Sequence, residues 1–190
     1  MKITHLKPEN YVISTWSGGT TTQLGIAPQE AVYADRDFLW RVSSATVDLE
    51  VSDFTALPDY NRLISTLEGE IDLTHDGGEA IHLAPYGVHG FDGGWQTRSV
   101  GRCRDFNLMM RKGECEGRME SVAAPGTCTV GGKKLDTAIL YCGLGQVTVR
   151  TASQTVTLVQ GEALRVDSEE EVVLSLAGTG KLLLAEAWSH

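Results

Sequence analysis

The chain has 190 residues, 42% of them hydrophobic, and a formal net charge of −9. That length buries a real core in one domain or two small ones. The negative balance, with no Lys/Arg run longer than two, excludes a nucleic-acid partner and an anionic membrane surface, both of which need clustered cations.

The N-terminal Met-Lys-Ile-Thr-His lacks the apolar core of a secretory signal, and no apolar run approaches the ~20 residues needed to span a bilayer. The first unusual stretch is W-S-G-G-T-T-T-Q, Trp16 to Gln23. It has no apolar periodicity. Its glycines allow close backbone approach, and Thr20, Thr22 and Gln23 offer hydroxyls and an amide. It reads as a loop on the rim of a site, with Trp16 as an apolar wall. Asp35-Arg36-Asp37 reads as a single helical turn.

Trp40 to Val51 alternates as a half-buried strand, yet Arg41 and Ser43 share the face of Ala45, Val47, Leu49 and Val51. Arg62 opens a second strand, Leu63 to Leu67. Ile71 to Thr74 leads into a hairpin at Asp76-Gly77, with His75 expected at its solvent-facing tip. Ile81 and Leu83, then Val88 and Phe91, continue the β texture around Pro85-Tyr86-Gly87. Asp92-Gly93-Gly94 turns the chain. Arg104 to Arg111 places Asp105, Asn107 and Met109 on one face. The charged, Gly-bearing segment Lys112 to Gly126 reads as a connection.

The second half repeats this rhythm about 76 residues on. Gly69 falls on Gly145, Ile71 on Val147 and Leu73 on Val149. With one hairpin residue removed, Leu83 falls on Leu158, Phe91 on Val166 and Asp92 on Asp167. Ser168 to Glu171 reads as a second helical turn. Leu182 to Leu184 is apolar on both faces, as in a central strand or at a homodimer interface. The expected fold is all-β: a bicupin of two jelly-roll barrels, residues 1–112 and 113–190.

The histidines His5, His75, His82, His89 and His190 form no H-x-H pair, so neither a metal site nor a cofactor is expected. Cys103, Cys115, Cys128 and Cys142 form no C-x-x-C pair and read as free thiols of a reducing cytoplasm. Cys103, between two arginines, is the one candidate nucleophile. No G-x-S-x-G elbow is present, and no catalytic residue is assigned. Misplaced polar groups remain: Arg41, Ser43, Arg62, Asp105 and Asn107. One reading is a structural network in which Arg41 or Arg62 pairs with Asp105. The other is a site for a small anionic or polar metabolite, gripped by the planar guanidinium fork. His89 joins the candidates, and the enzymatic alternative is a metal-free isomerase or hydrolase with Asp105 or His89 as the base and Arg41 or Arg62 stabilising developing negative charge.

The same residues carry a family resemblance. W-S-G-G-T-T-T-Q-L, W-R-V-S-S-A-T-V, F-T-A-L-P-D-Y-N-R-L-I, L-E-G-E-I, F-D-G-G and D-F-N-L-M occur in order over roughly residues 11 to 112, and the set resembles the HutD/Ves family. The resemblance implies a bicupin associated with histidine utilisation or stress response. It implies a regulatory rather than catalytic role, with formylglutamate the suggested ligand. It also implies that Trp16, Arg41, Ser43, Arg62, Asp105 and Asn107 stand at characteristic positions. The chain departs from the family at residues 17–23: it lacks an Asn and carries Gln23 where an acidic residue is usual. A neutral amide there removes repulsion toward an anionic ligand.

Overall fold

The computed structural model describes residues 1–134 and 136–189; His190 lies outside them. The chain forms β1 (Lys2–Leu6), β2 (Val12–Trp16), β3 (Gly19–Ala27), β4 (Trp40–Val47), β5 (Val51–Asp53) and β6 (Tyr60–Glu68). Then come β7 (Ile71–His75), β8 (Ile81–Leu83), β9 (His89–Asp92), β10 (Thr97–Val100) and β11 (Cys103–Arg111). The last are β12 (Cys115–Val130), β13 (Thr137–Arg150), β14 (Thr155–Val159), β15 (Ala163–Asp167) and β16 (Val172–Ser189). Among the described residues the only helical pieces are 3-10 turns at Pro8–Asn10 and Tyr33–Asp35, so no helix is long and apolar enough to cross a membrane.

The chain divides into two compact units, Val12–Glu114 and Met1–Tyr11 with Cys115–His190. The first, the site unit, holds a six-stranded sheet, β2-β3-β4-β11-β6-β9, and a four-stranded sheet, β5-β10-β7-β8. The second unit holds one six-stranded sheet, β1-β15-β13-β16-β12, with β14 on β13. The first eleven residues therefore belong with the C-terminal segment, because β1 pairs antiparallel with β15.

Several expected boundaries shift for local reasons. The strand expected over residues 40–51 stops at Val47, where the Asp48 amide turns away to the Gly18 carbonyl. Leu49 and Val51 are consequently exposed. The connection expected over 112–126 shrinks to a turn, since β12 pairs with β16 from Cys115 onward. Ser168 to Glu171 is no helical turn; the Ser168 hydroxyl binds both the amide and the carbonyl of Glu170 instead. Leu182 to Leu184 lies in a central strand, between β13 and β12, and is fully buried.

The repeat is physical. Gly69 and Gly145 both adopt positive φ, 73° and 75°. A Cβ at Gly69 would sit 2.4 Å from the Arg102 carbonyl oxygen, and one at Gly145 2.2 Å from that of Thr179. Only glycine fits either turn. Each repeated apolar position, from Ile71 and Val147 to Phe91 and Val166, is buried. Val147, Val149, Leu158 and Val166 join a continuous aliphatic core with Leu140, Leu174, Leu182 and Leu184. In the site unit, smaller clusters form around Phe38 and Tyr60 and around Ile64 and Leu73.

Candidate ligand-binding site

The site unit's large sheet aligns its inward residues in three cross-strand rungs. The register places Ile26, Arg41, Met109, Arg62 and Phe91 on one. Gln23, Ser43, Asn107, Ile64 and His89 form the next, and Thr21, Ala45, Asp105 and Thr66 the third. Directly opposed residues share a face. Three strands, β4, β6 and β11, thus bring Arg41, Ser43, Arg62, Asp105 and Asn107 together, though they stand up to 66 positions apart in sequence (41 to 107).

They line a cavity of about 310 Å³. Its other walls include Ser14, Trp16, Thr21, Tyr33, Phe54 and Met109. Five candidates read from the sequence besides Trp16 therefore converge. The remaining four do not line the cavity. Thr20 and Thr22 point to the opposite face, because side chains alternate along β3 and Thr21 points inward. Gln23 stands behind the wall and positions Arg41, its Oε1 accepting from Nε at 2.7 Å. His89 is cut off by Ile64, which is fully buried between it and Asn107 on the rung.

The two arginines are held differently. Arg41 donates to Gln23 and, through Nη1, to Ser43 Oγ at 3.2 Å. Its guanidinium lies 4.1 Å from the centre of the Tyr33 ring. Arg36 covers Tyr33 as well, at 3.9 Å, so one ring serves two cations. The Tyr33 turn is itself anchored: Arg111 donates to the carbonyls of Arg36 and Phe38, and to Tyr60 Oη.

Arg62 has no such partners. Its guanidinium lies 5.1 Å from the ring centres of both Phe54 and Phe91, and its buried Nε has no hydrogen-bond partner. Among the described residues no hydrogen bond or ion pair reaches it. Burial lowers its pKa to about 10, which leaves it charged at neutral pH. Asp105 is not its ion-pair partner, which corrects the structural-network reading. The Asp105 carboxylate accepts from the Ala45 amide at 2.9 Å. Burial raises its pKa to about 6, against the pull of Arg62 and Arg41. Asn107 Oδ1, Ser52 Oγ and Thr66 Oγ1 are also buried without partners.

Buried charge is costly unless paired, and here the counter-charge within the protein is weak. The cavity presents unspent donors on a cation and an unspent acceptor beside them. Of the two candidate bases, Asp105 lines this cavity and His89 does not. Cys103 is no activated nucleophile, because burial pushes its thiol up to about 12. All four cysteines are free. No group of three or more His, Cys, Asp or Glu converges as metal ligands would, among the described residues. The sequence reading missed Tyr33, Arg36, Phe54 and Thr21. Only Thr21 left a signal, through the period of two.

Fold and cavity together define a cupin-like all-β protein with a cationic pocket in one unit. A cupin 2 conserved barrel domain protein from Leptotrichia buccalis matches the fold with a TM-score of 0.61 at 7% identity, covering 100% of this chain and 98% of that one. Two solved structures are more similar, each covering 100% of both chains. A conserved protein of unknown function from Pseudomonas aeruginosa PAO1 has a TM-score of 0.84 at 23% identity. HutD from Pseudomonas fluorescens SBW25 has a TM-score of 0.79 at 25% identity. The HutD family profile matches residues 8–184. The chain belongs to the HutD family. No curated protein matches it in sequence.

Proposed function

We propose that the site unit binds a small carboxylate metabolite without a metal, and that this binding serves a regulatory role in histidine utilisation. The observation that carries the reading is Arg62, a buried guanidinium in a cavity wall with no hydrogen-bonded counter-ion. A carboxylate supplies the missing charge and matches the planar fork. Asn107 Oδ1 favours a ligand that also carries an N–H donor, as an acylated amino acid such as formylglutamate does. About 310 Å³ lies at the lower end of the ~300–1,000 Å³ range of small-molecule sites. The two units are read as two cupin barrels, the second one filled and inactive. Localisation in the cytoplasm fits the free cysteines and the pathway.

The test is thermal stabilisation. A ligand at 100-fold its Kd stabilises the native state by about 2.7 kcal/mol, and each kcal/mol raises Tm by roughly 2–4 °C at this size. Formylglutamate at millimolar concentration is expected to raise the midpoint by several degrees. Short dicarboxylates lacking the amide should do so less. Absence of a shift with the whole set of histidine-pathway acids would sink the reading.

A further inference from the structure

The cavity wall carries three buried ionisable groups: the guanidiniums of Arg41 and Arg62 and the carboxyl of Asp105. Asp53 reaches the rim, but its side chain is 74% exposed and lies 3.7 Å from Arg98. With Asp105 ionised, the buried set is one positive charge in excess. A ligand with one carboxylate cancels that excess. A ligand with two overshoots it by one, and an uncompensated charge is costly where water is excluded. Resting on the carboxylate-binding reading of this cavity, we propose that Asp105 distinguishes the two ligand classes: it takes up one proton from solution when a dicarboxylate binds, and its O–H donates to the ligand's second carboxylate.

The geometry of the wall supports this role. One carboxyl oxygen of Asp105, Oδ1, accepts from the Ala45 amide at 2.9 Å. The other has no hydrogen-bond partner among the described residues, and the side chain lines the cavity. A protonated carboxyl keeps an acceptor for the amide and gains a donor for the ligand. Asp105 stands on the third rung, two rungs from Arg41 and Arg62. Arg41 reaches back across one of them, placing Nη1 on Ser43 Oγ of the middle rung. The remaining rung, two residues of strand or about 7 Å, suits the span of a short dicarboxylate.

The groups around Asp105 are few. On β4 it faces Arg41 and Ala45, on β6 Arg62 and Thr66, and on β3 Thr21. Cys103 is its neighbour on the same face of β11. Burial outweighs the pull of both guanidiniums, so Asp105 titrates near 6 in the free protein. A ligand carboxylate beside it moves that value further up, because like charges at close range disfavour a second ionisation. The surrounding groups hold their charge state from pH 7 to 8. Arg62, at about 10, stays protonated, as does the Cys103 thiol, at about 12. Burial keeps His89 below its ordinary value, hence neutral.

The experiment is calorimetric titration of the full chain with succinate, formylglutamate and butyrate, the first two with two carboxylates and the last with one. At pH 7.5, in HEPES and in Tris, whose ionisation heats differ, about one proton should be taken up per dicarboxylate and none per butyrate. From pH 7 to pH 8 the dicarboxylate Kd should rise up to about tenfold, and that of butyrate less than twofold. Asp105→Asn, which still accepts from the Ala45 amide, should abolish the proton uptake and the pH dependence. It should also bind succinate more tightly than the parent at pH 8. The proton count is read on the parent chain, so it holds whether or not the variant folds. Dicarboxylate binding without proton uptake, or an unchanged pH dependence in Asp105→Asn, would overturn the role of Asp105 and leave the carboxylate site standing. Failure of all three acids to bind at 10 mM would overturn the site itself, and this role with it.

Discussion

Arg62 costs stability in the ligand-free fold, and the proposed carboxylate ligand would offset that cost. Its charge is buried among Phe54 and Phe91 with no hydrogen-bond partner, so the ligand-free fold bears the desolvation. Arg62→Met keeps the volume and removes the charge. The variant is expected to melt a few degrees higher than the parent without ligand and to show no carboxylate-induced shift. Thermal scans with and without formylglutamate check both halves; a lower melting point would mean that Arg62 is a structural tie. Asp105 gives the pH dependence. Its folded pKa, about 6, lies above the ordinary 3.8. A raised folded value means the favourable contribution is complete below about 4 and is lost as pH rises through 6, on the order of 3 kcal/mol in all. Thermal stability of the parent should therefore fall between about pH 4 and pH 6. Asp105→Asn, which still accepts from the Ala45 amide, should flatten that fall and strengthen anion binding at pH 8. An equal slope in parent and variant would remove Asp105 from the account.

At the scale of elements, strand phase decides which residues reach the cavity. On β3, Thr21 points in while Thr20 and Thr22 point out, and a register shift between Gln23 and Gly25 resets the phase. The Trp16–Gln23 stretch was legible as site-bearing, but its phase was not, because a run of three threonines carries no apolar alternation to read. The hairpin between β2 and β3 adds a steric device. The Trp16 ring lies over Gly18, where a Cβ would come within 2.1 Å of a ring carbon. Gly18→Val is expected to displace the indole from the cavity wall. It should weaken ligand binding several-fold and move Tm little, since Trp16 is 42% exposed. A large loss of stability with unchanged affinity would contradict this. The repeated glycine turns allow a paired test: Gly69→Ala and Gly145→Ala should each destabilise by about 1–3 kcal/mol, measured by urea unfolding.

At the scale of the whole molecule, two copies of one strand pattern have taken different interiors. The rungs of the site unit have counterparts across the repeat. Where Arg41, Met109 and Arg62 align, the second unit aligns Arg118, Glu186 and Ala138. Where Asn107 meets Ile64, Leu184 meets Leu140; where Asp105 meets Thr66, Leu182 meets Cys142. Leu184 and Leu182, both fully buried, stand where Asn107 and Asp105 stand, and the remaining arginine, Arg118, is satisfied by the Glu186 carboxylate. This substitution closes the core and leaves the second unit without an unpaired cation of the Arg62 kind. Ala138→Arg, which restores the cation position, should cost at least about 1–3 kcal/mol by overpacking the closed core around the fully buried Ala138. Denaturant unfolding of that variant measures the cost, and ligand binding should not double.

The sequence alone determined the all-β class, the repeat and its glycine turns, and the arginines, serine, aspartate and asparagine of the cavity. These are encoded locally: alternation of period two declares a strand, and a charge on its apolar face declares an exception. Tertiary structure decided what no local pattern carries. The register across β4, β11, β6 and β9 set which exceptions face one another, placed Ile64 between His89 and the cavity, and left Arg62 without a partner. Contact between side chains of the two sheets brought His75 Nε2 to 2.9 Å from His89 Nε2, although the residues stand fourteen positions apart. Cross-strand register is fixed by the joint packing of several strands, so distances between side chains from different strands exist only once the sheet has closed on its core.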